Sequence, residues 1–179
     1  HLEMIWWHQA WQALWGHPEL LDRTLGWYET VEPVAREIAR RQGFDGVRWM
    51  KMTDPSGTEA PSNVGSFLIW QQPHFIYLAE LVYRANPSDE VIKKYNHLVQ
   101  ETAKFMYSFA TYDEFHGRFI LKGAIPAQET LRAATTINPP FELSYWHYAM
   151  NVAQQWRERA GEKRNLECCL LYTSDAADD

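Results

Sequence analysis

Hydrophobic residues recur at helical spacing along most of the chain. In the first segment, residues 3–15, apolar side chains lie on nearly every side, which is typical of a helix buried on most of its faces. Gly16 ends this segment, and Pro18 begins a second helix that runs to residue 42 and is either kinked or split at Pro33. Further helices are predicted over 73–85, over 88–111 and from residue 141 onward, with no strand-rich domain. The pattern therefore predicts an all-α fold.

The connections between these helices alternate in length. The first and second helices are joined by a short turn, as are the third and fourth, whereas the connections before residues 73 and 141 are each about thirty residues long. Connections of that length inside a compact domain are usually functional. If the helices alternate in direction, both long connections lie at the end of the fold where the helices at 3, 73 and 141 begin. Paired helices of this kind are the unit of an (α/α) toroid.

Composition narrows the choice of ligands. The chain has nine Trp and nine Tyr, and such rings can fill a helical core or stack on the apolar faces of sugars. The net charge is −6, so an electrostatic field that attracts nucleic acid is not expected. No apolar stretch is long enough to span a bilayer, and we predict no transmembrane segment. Oligomeric state is left open.

Both ends of the chain call for separate interpretation. His1 is not an initiator Met and no signal peptide follows it, so we expect the chain to begin inside a longer protein. Residues 168–179 look like translated sequencing adapter, as found at the ends of metagenomic reading frames, and we expect them to be non-native. We therefore assign 1–167 to one catalytic-domain fragment. Without the three aspartates of residues 168–179, the net charge changes from −6 to −3. Localisation is unknown, with a periplasmic or secreted protein plausible.

Cysteine chemistry is not expected. Both cysteines, Cys168 and Cys169, belong to the segment that we interpret as non-native. The remaining chain therefore has no thiol for a disulfide or a thiolate nucleophile. Nor does it contain a phosphate-binding glycine loop or a zinc-protease motif, and we predict no cofactor.

Five short runs occur in an order that points to one family. They are His1-Leu2-Glu3-Met4, Trp49-Met50-Lys51-Met52-Thr53-Asp54, Ile69-Trp70-Gln71-Gln72-Pro73-His74, Ile125-Pro126-Ala127-Gln128-Glu129 and Asn138-Pro139-Pro140-Phe141-Glu142-Leu143. Together they resemble glycoside hydrolase family 65-like proteins, which are six-hairpin (α/α)6 glycosidases. The resemblance covers about residues 1–160. It implies a partial (α/α)6 toroid of about three helical hairpins and a carbohydrate substrate.

The resemblance also implies a general acid. Ile125 to Glu129 falls where the family has Gly-Pro-Asp-Glu, whose Glu protonates the leaving oxygen, so Glu129 is the predicted acid. Its apolar neighbours, such as Ile125 and Leu131, would raise its pKa and keep it protonated near neutrality. Inverting glycosidases need a second carboxylate as base. The family places that base in a later hairpin, beyond residue 167, so we expect the fragment to be catalytically incomplete.

Glu142 is the alternative acid. It lies in the first turn of the last helix, where the helix dipole favours the charged carboxylate and suits a sugar-hydroxyl acceptor better than a proton donor. The predicted substrate-binding residues lie at the starts of helices and in the first long connection: Glu3, Trp49, Lys51, Asp54, Gln71, Gln72 and His74. Glu3 corresponds to the Glu of a family Asp-Thr-Glu motif, with His1 in place of the Asp. No metal site is predicted, because His74 has no second ligand at a suitable spacing.

Three other functions remain open. Relatives within the family include phosphorylases, in which phosphate replaces the attacking water. A non-catalytic carbohydrate-binding α-toroid would keep the groove without the chemistry. A polysaccharide lyase would need Tyr or His as its base, for which Tyr112 and His116 are weak candidates.

Overall fold

The computed structural model describes residues 1–126 and 131–165, apart from the side chain of Glu3, and this part of the chain is mostly helical. The elements are α1 (Leu2–Leu14), α2 (Pro18–Arg41), α3 (His74–Ala85), α4 (Asp89–Phe109), β1 (Thr111–Asp113), β2 (Arg118–Ile120) and α5 (Pro140–Arg159). The predicted all-α class is confirmed, with one small two-stranded sheet added. Within the described residues, no helix is both long and apolar enough to cross a membrane.

The helices pack around α3. This helix contacts each of the other four, while α2 packs against α1 and α3, and α4 packs against α3 and α5. Helices α1, α3 and α5 are thus neighbours in that order, and α2 and α4 cover the two junctions between them. The core between these helices contains large rings that are almost completely buried, including Tyr28, Phe75, Tyr95, Trp146 and Trp156. Burial of these rings supplies much of the hydrophobic stabilisation.

Pro33 lies inside α2, which continues through it as a single helix from Pro18 to Arg41. A proline in this position removes one backbone hydrogen bond and leaves the carbonyl four residues earlier without its usual donor. Both Pro33 and Glu29 are exposed, so water can reach that carbonyl. Because α2 is one continuous helix from Pro18 to Arg41, the alternative of two separate helices is wrong.

The strands β1 and β2 form an antiparallel hairpin that the hydrophobic pattern did not predict. Thr111 pairs with Ile120, Tyr112 with Phe119, and Asp113 with Arg118. Gly117, at φ +64°, provides the left-handed residue that the tight turn requires. Each strand has only three residues, which is too short for a period of two to be recognised in the sequence.

The two long connections contact each other where α3 and α5 begin. The Ile125 amide donates to the Phe67 carbonyl at 2.9 Å, which joins the connection before α5 to the connection before α3. The indole of Trp146, on α5, donates to the Ile69 carbonyl at 3.0 Å. Leu121 donates to the side chain of Asn138 at 2.8 Å, close to the start of α5. The described parts of both connections therefore lie at one end of the helices, as their lengths predicted.

A buried carboxylate joins α3 to α5. Glu80 accepts hydrogen bonds from Arg159 at 2.6 and 3.2 Å and from the Trp156 indole at 2.9 Å. Arg84 contributes a further bond at 2.8 Å. Burial acts to raise the pKa of Glu80, but these charged and neutral donors outweigh it and hold the pKa below its ordinary value. Glu80 is thus a structural anion rather than a proton donor.

Candidate functional site

A cavity of about 430 Å³ lies between the first halves of α1, α3 and α5. Nearly all of its lining residues carry aromatic rings: Trp6, Trp7, Trp70, His74, Tyr77, Phe141, Tyr145 and Tyr148, with Ser144 as the exception. Aromatic residues of this kind bind flat apolar surfaces well. The cavity is near the point where the long connections meet, because Trp70 precedes α3 and Phe141 lies in the first turn of α5.

The rings around the cavity form one connected network. The Trp70 ring lies 5.4 Å from that of His74 and 6.4 Å from that of Phe141, both edge to face. The Tyr77 ring lies 6.5 Å from that of Tyr145 and 5.7 Å from that of Trp6, so all three helices are linked. These spacings are those of favourable ring pairs, which hold one another in position. The cavity wall is therefore built in advance of any ligand.

A pair of polar groups from α3 and α5 meets in the cavity wall. Nδ1 of His74 and the hydroxyl of Tyr145 are 2.9 Å apart, and the tautomer of the imidazole decides which of them donates. Burial raises the pKa of Tyr145 well above its ordinary value, with the neighbouring phenols adding to the effect. Tyr145 therefore keeps its proton at neutral pH. The pair can offer a ligand a hydrogen bond but no phenolate base.

The sequence-predicted residues Gln71 and Gln72 are buried away from the cavity. Gln72 accepts from the Trp49 amide at 2.8 Å and donates to the Val47 carbonyl at 2.8 Å. Gln71 donates to the carbonyls of Trp49 and Leu68 at 3.1 and 3.0 Å. Both side-chain amides thus provide hydrogen-bond partners for backbone groups of residues 47–49, a stretch that is not paired with a strand. Their prediction as substrate-binding residues is replaced by a structural role.

Trp49 is also a core residue. Its side chain is 1% exposed, its indole donates to Thr102 at 3.0 Å, and its ring packs edge to face on Tyr28 at 4.8 Å. A ring enclosed in this way has no free face, so the prediction that Trp49 stacks on a sugar at the rim is wrong. The signal that led to the prediction, a Trp in a long polar connection, does not distinguish a platform from a core anchor.

The polar residues that follow Trp49 lie in the same connection. Asp54 accepts hydrogen bonds from the Ser56 amide at 2.8 Å, the Ser56 hydroxyl at 2.6 Å and the Thr58 amide at 3.1 Å. These donors lower the pKa of Asp54 and show that it stabilises its own turn. Lys51 is partly buried. Neither residue lines the aromatic cavity, so the structure does not bring them to it.

Among the predicted polar residues whose side chains the structure describes, His74 is the one that lines the cavity. Glu142 lies in the first turn of α5, directly after Phe141, and is 1% exposed without lining the cavity. Glu3 lies on α1, one turn before Trp6 and Trp7, but its side chain is outside the described part. Glu129, the predicted general acid, falls outside the described residues, as does the boundary at residues 167–168.

The sequence contained an unused signal for the cavity residues. Trp70, His74 and Tyr77 are spaced four and three residues apart, and Phe141, Tyr145 and Tyr148 repeat that spacing on α5. Aromatic residues in this arrangement lie on one face of a helix. The same triplet at the starts of two helices, each preceded by a long connection, could have indicated that the two faces meet.

Tyr112 and His116, the candidate bases of a polysaccharide lyase, lie on the hairpin formed by β1 and β2. Nδ1 of His116 is 2.6 Å from Oδ2 of Asp113, and the imidazole lowers the pKa of that carboxylate. Tyr112 and His116 are exposed, and neither lines the cavity. The aromatic cavity and the hairpin are therefore separate features.

Neither a metal site nor a known relative identifies the chain. Across residues 1–126 and 131–165, no three His, Cys, Asp or Glu side chains are grouped so that they could hold a metal ion. No protein-family model matches the sequence, and no curated protein matches it.

Proposed function

We propose that this chain is part of an (α/α)-toroid glycosidase and that the aromatic cavity holds one ring of the glycoside. The observation that carries the proposal is the aromatic wall formed where the first halves of α1, α3 and α5 meet. A glycoside carries rings with apolar faces, either the C–H faces of a pyranose or the face of an aromatic aglycone, and aromatic side chains cover such faces. The proposal assigns ring stacking to Trp70 and Phe141 and hydrogen bonding to the pair of His74 and Tyr145.

The arrangement of helices supports the toroid part of the proposal. α1, α3 and α5 are successive neighbours, and α2 and α4 each pack over one junction between them. An (α/α) toroid is built from such inner and outer helices. Three inner helices and two outer helices correspond to about half of a six-hairpin ring, in keeping with the family resemblance of the five sequence runs.

The reaction we propose is inverting hydrolysis with Glu129 as the general acid. Ile125, four residues before Glu129 in the sequence, lies at the end of the helices where the cavity lies, because its amide donates to Phe67 and Phe67 precedes Trp70 by three residues. A Glu that protonates the leaving oxygen needs a raised pKa, and the base must stand far enough away to admit a water. We propose that the base comes from a later hairpin. Glu142 is the alternative acid.

A non-catalytic carbohydrate-binding toroid is the second candidate, and one observation favours it. None of the cavity-lining residues in the described part of the chain is an acid, a lysine or an arginine. A glycosidase must bring a carboxyl group to the scissile bond. A protein that only binds saccharide needs the aromatic wall alone.

Calorimetric titration of a panel of oligosaccharides tests the binding part of the proposal. We expect Trp70→Ala to weaken the affinity for the best ligand about tenfold or more, because the stacking wall is lost. The matched control is Trp15→Ala, because Trp15 is 78% exposed and lies outside the cavity. Equal affinities of Trp70→Ala and the wild-type chain would reject the cavity as the site that holds a ring of the glycoside.

Turnover separates the two candidates. In a protein that contains both this segment and the later hairpins, we expect Glu129→Gln to lower the turnover number by orders of magnitude with nearly unchanged saccharide affinity. Near-normal turnover in that variant would reject Glu129 as the acid. A protein that binds oligosaccharides but hydrolyses none, with or without phosphate, would support the non-catalytic candidate instead.

A further inference from the structure

The chemistry of the cavity wall restricts which ring can enter it. The wall is almost entirely apolar, and its described polar groups are the pair of His74 with Tyr145, the hydroxyl of Ser144, and ring N–H and O–H groups at the edges of the aromatic side chains. A pyranose carries several hydroxyl groups around its ring. Each hydroxyl that loses water without gaining a partner weakens binding. A fully enclosed sugar is therefore a poor match to this wall.

An uncharged aromatic group matches the wall better. Its faces and edges can make the same edge-to-face contacts that the rings of the cavity already make with each other, such as that of Trp70 with Phe141. The volume of about 430 Å³ is in the range of small-molecule sites and accommodates a ring of one or two cycles. The wall has no acid, lysine or arginine among its described residues, so it offers no ion-pair partner to a charged ligand.

We infer that the cavity binds an uncharged aromatic aglycone, so that the preferred ligands of this protein are aryl glycosides. The sugar of such a ligand lies outside the cavity, toward the connections that precede α3 and α5. The pair of His74 and Tyr145 provides the hydrogen bond for the oxygen that the aglycone carries. The inference rests on the proposed function for the sugar, whereas the aromatic site depends only on the wall.

The test compares three sets of probes by calorimetry with the whole 179-residue chain. They are phenyl glycosides of common hexoses and pentoses in both anomers, the matching methyl glycosides, and phenol alone. We expect the best phenyl glycoside to bind about tenfold or more tightly than its methyl counterpart, with phenol binding weakly and competing with it. Equal affinities of phenyl and methyl glycosides would overturn the aglycone assignment and leave the proposed function standing.

A different titration result would reject the proposed function. If phenol binds but no phenyl or methyl glycoside binds more tightly than phenol, the proposed function fails and the aglycone assignment fails with it. If none of the three sets binds, the cavity is not a ligand site. One set of titrations therefore distinguishes failure of the aglycone assignment alone from failure of the proposed function.

Variants locate the aromatic group. Phe141→Ala removes a cavity ring that is itself 56% exposed, so the variant is expected to fold. It should abolish most of the preference for phenyl over methyl glycosides and leave the methyl glycoside affinity within about twofold. Phe115→Ala is the matched control, because Phe115 is 89% exposed at the hairpin and does not line the cavity. An unchanged preference in Phe141→Ala would overturn the assignment.

Discussion

Replacement of Gln72 by Ala tests whether this residue supports the fold or binds a ligand. The Gln72 side chain is completely buried and makes two hydrogen bonds of 2.8 Å, one from the Trp49 amide and one to the Val47 carbonyl. Those two backbone groups belong to a connection without a strand partner at that point, and the amide side chain takes the place of that partner. Truncation leaves one buried donor and one buried acceptor unsatisfied.

The expected loss of stability follows from these two groups. A buried polar group that loses its partner costs about 1–3 kcal/mol, so the free energy of unfolding should fall by about 3 kcal/mol or more. For a chain of this size that corresponds to a decrease in Tm of about 6–12 °C. Gln72→Glu keeps the acceptor for Trp49 but places a buried carboxylate against the Val47 carbonyl, and we expect it to be at least as destabilising.

Urea denaturation followed by tryptophan fluorescence measures the change. Gln42→Ala is the matched control, because the Gln42 side chain is partly exposed and its amide nitrogen makes a weak contact of 3.9 Å with the sulfur of Met50. We expect the control to lose less than about 0.5 kcal/mol. A change below about 1 kcal/mol in Gln72→Ala, combined with weaker ligand binding, would refute the structural role and restore Gln72 as a binding residue.

Three further perturbations test the packing around the site. In urea denaturation, Gly46→Ala should lower the free energy of unfolding by about 2–4 kcal/mol more than Gly43→Ala does. Both glycines have positive φ, but of the two only a Cβ at Gly46 would collide with the backbone of α4. Trp49→Phe should destabilise the chain by about 1–3 kcal/mol and leave ligand affinity unchanged, as expected for a core ring that donates a buried hydrogen bond; a selective loss of affinity would contradict this. The lowered pKa of Glu80 stabilises the fold fully above the ordinary pKa of 4.5, and this contribution is lost as the pH falls through the lowered folded-state value. Acid titration of stability should therefore show the difference between wild type and Glu80→Gln shrinking below that pH, and a difference independent of pH would contradict the assignment.

The helices could be predicted from the sequence because their signals are local. Pro18 stands at the first position of α2, and Ser88 accepts a hydrogen bond from the Val91 amide as the cap of α4. The lengths of the connections also predicted which ends of the helices would share loops. Each of these inferences needs only neighbouring residues or a count along the chain.

The functional site was harder to predict because its polar signals were ambiguous. Gln71 and Gln72 come directly before α3, where ligand-binding amides were expected, yet they bond to a backbone segment more than twenty residues earlier. Trp49 has the type of side chain that stacks on sugars, but tertiary packing buries it. By contrast, the aromatic triplets at the starts of α3 and α5 resemble ordinary core stripes until the two helices are placed side by side.

A crystal structure of this chain with its best phenyl glycoside would show which ring occupies the aromatic cavity. We expect the phenyl ring to lie between Trp70 and Phe141, with the oxygen that it carries within hydrogen-bond distance of His74 or Tyr145 and the sugar outside the cavity. A glycoside bound at the hairpin, or on any surface that leaves the aromatic cavity unoccupied, would contradict this expectation.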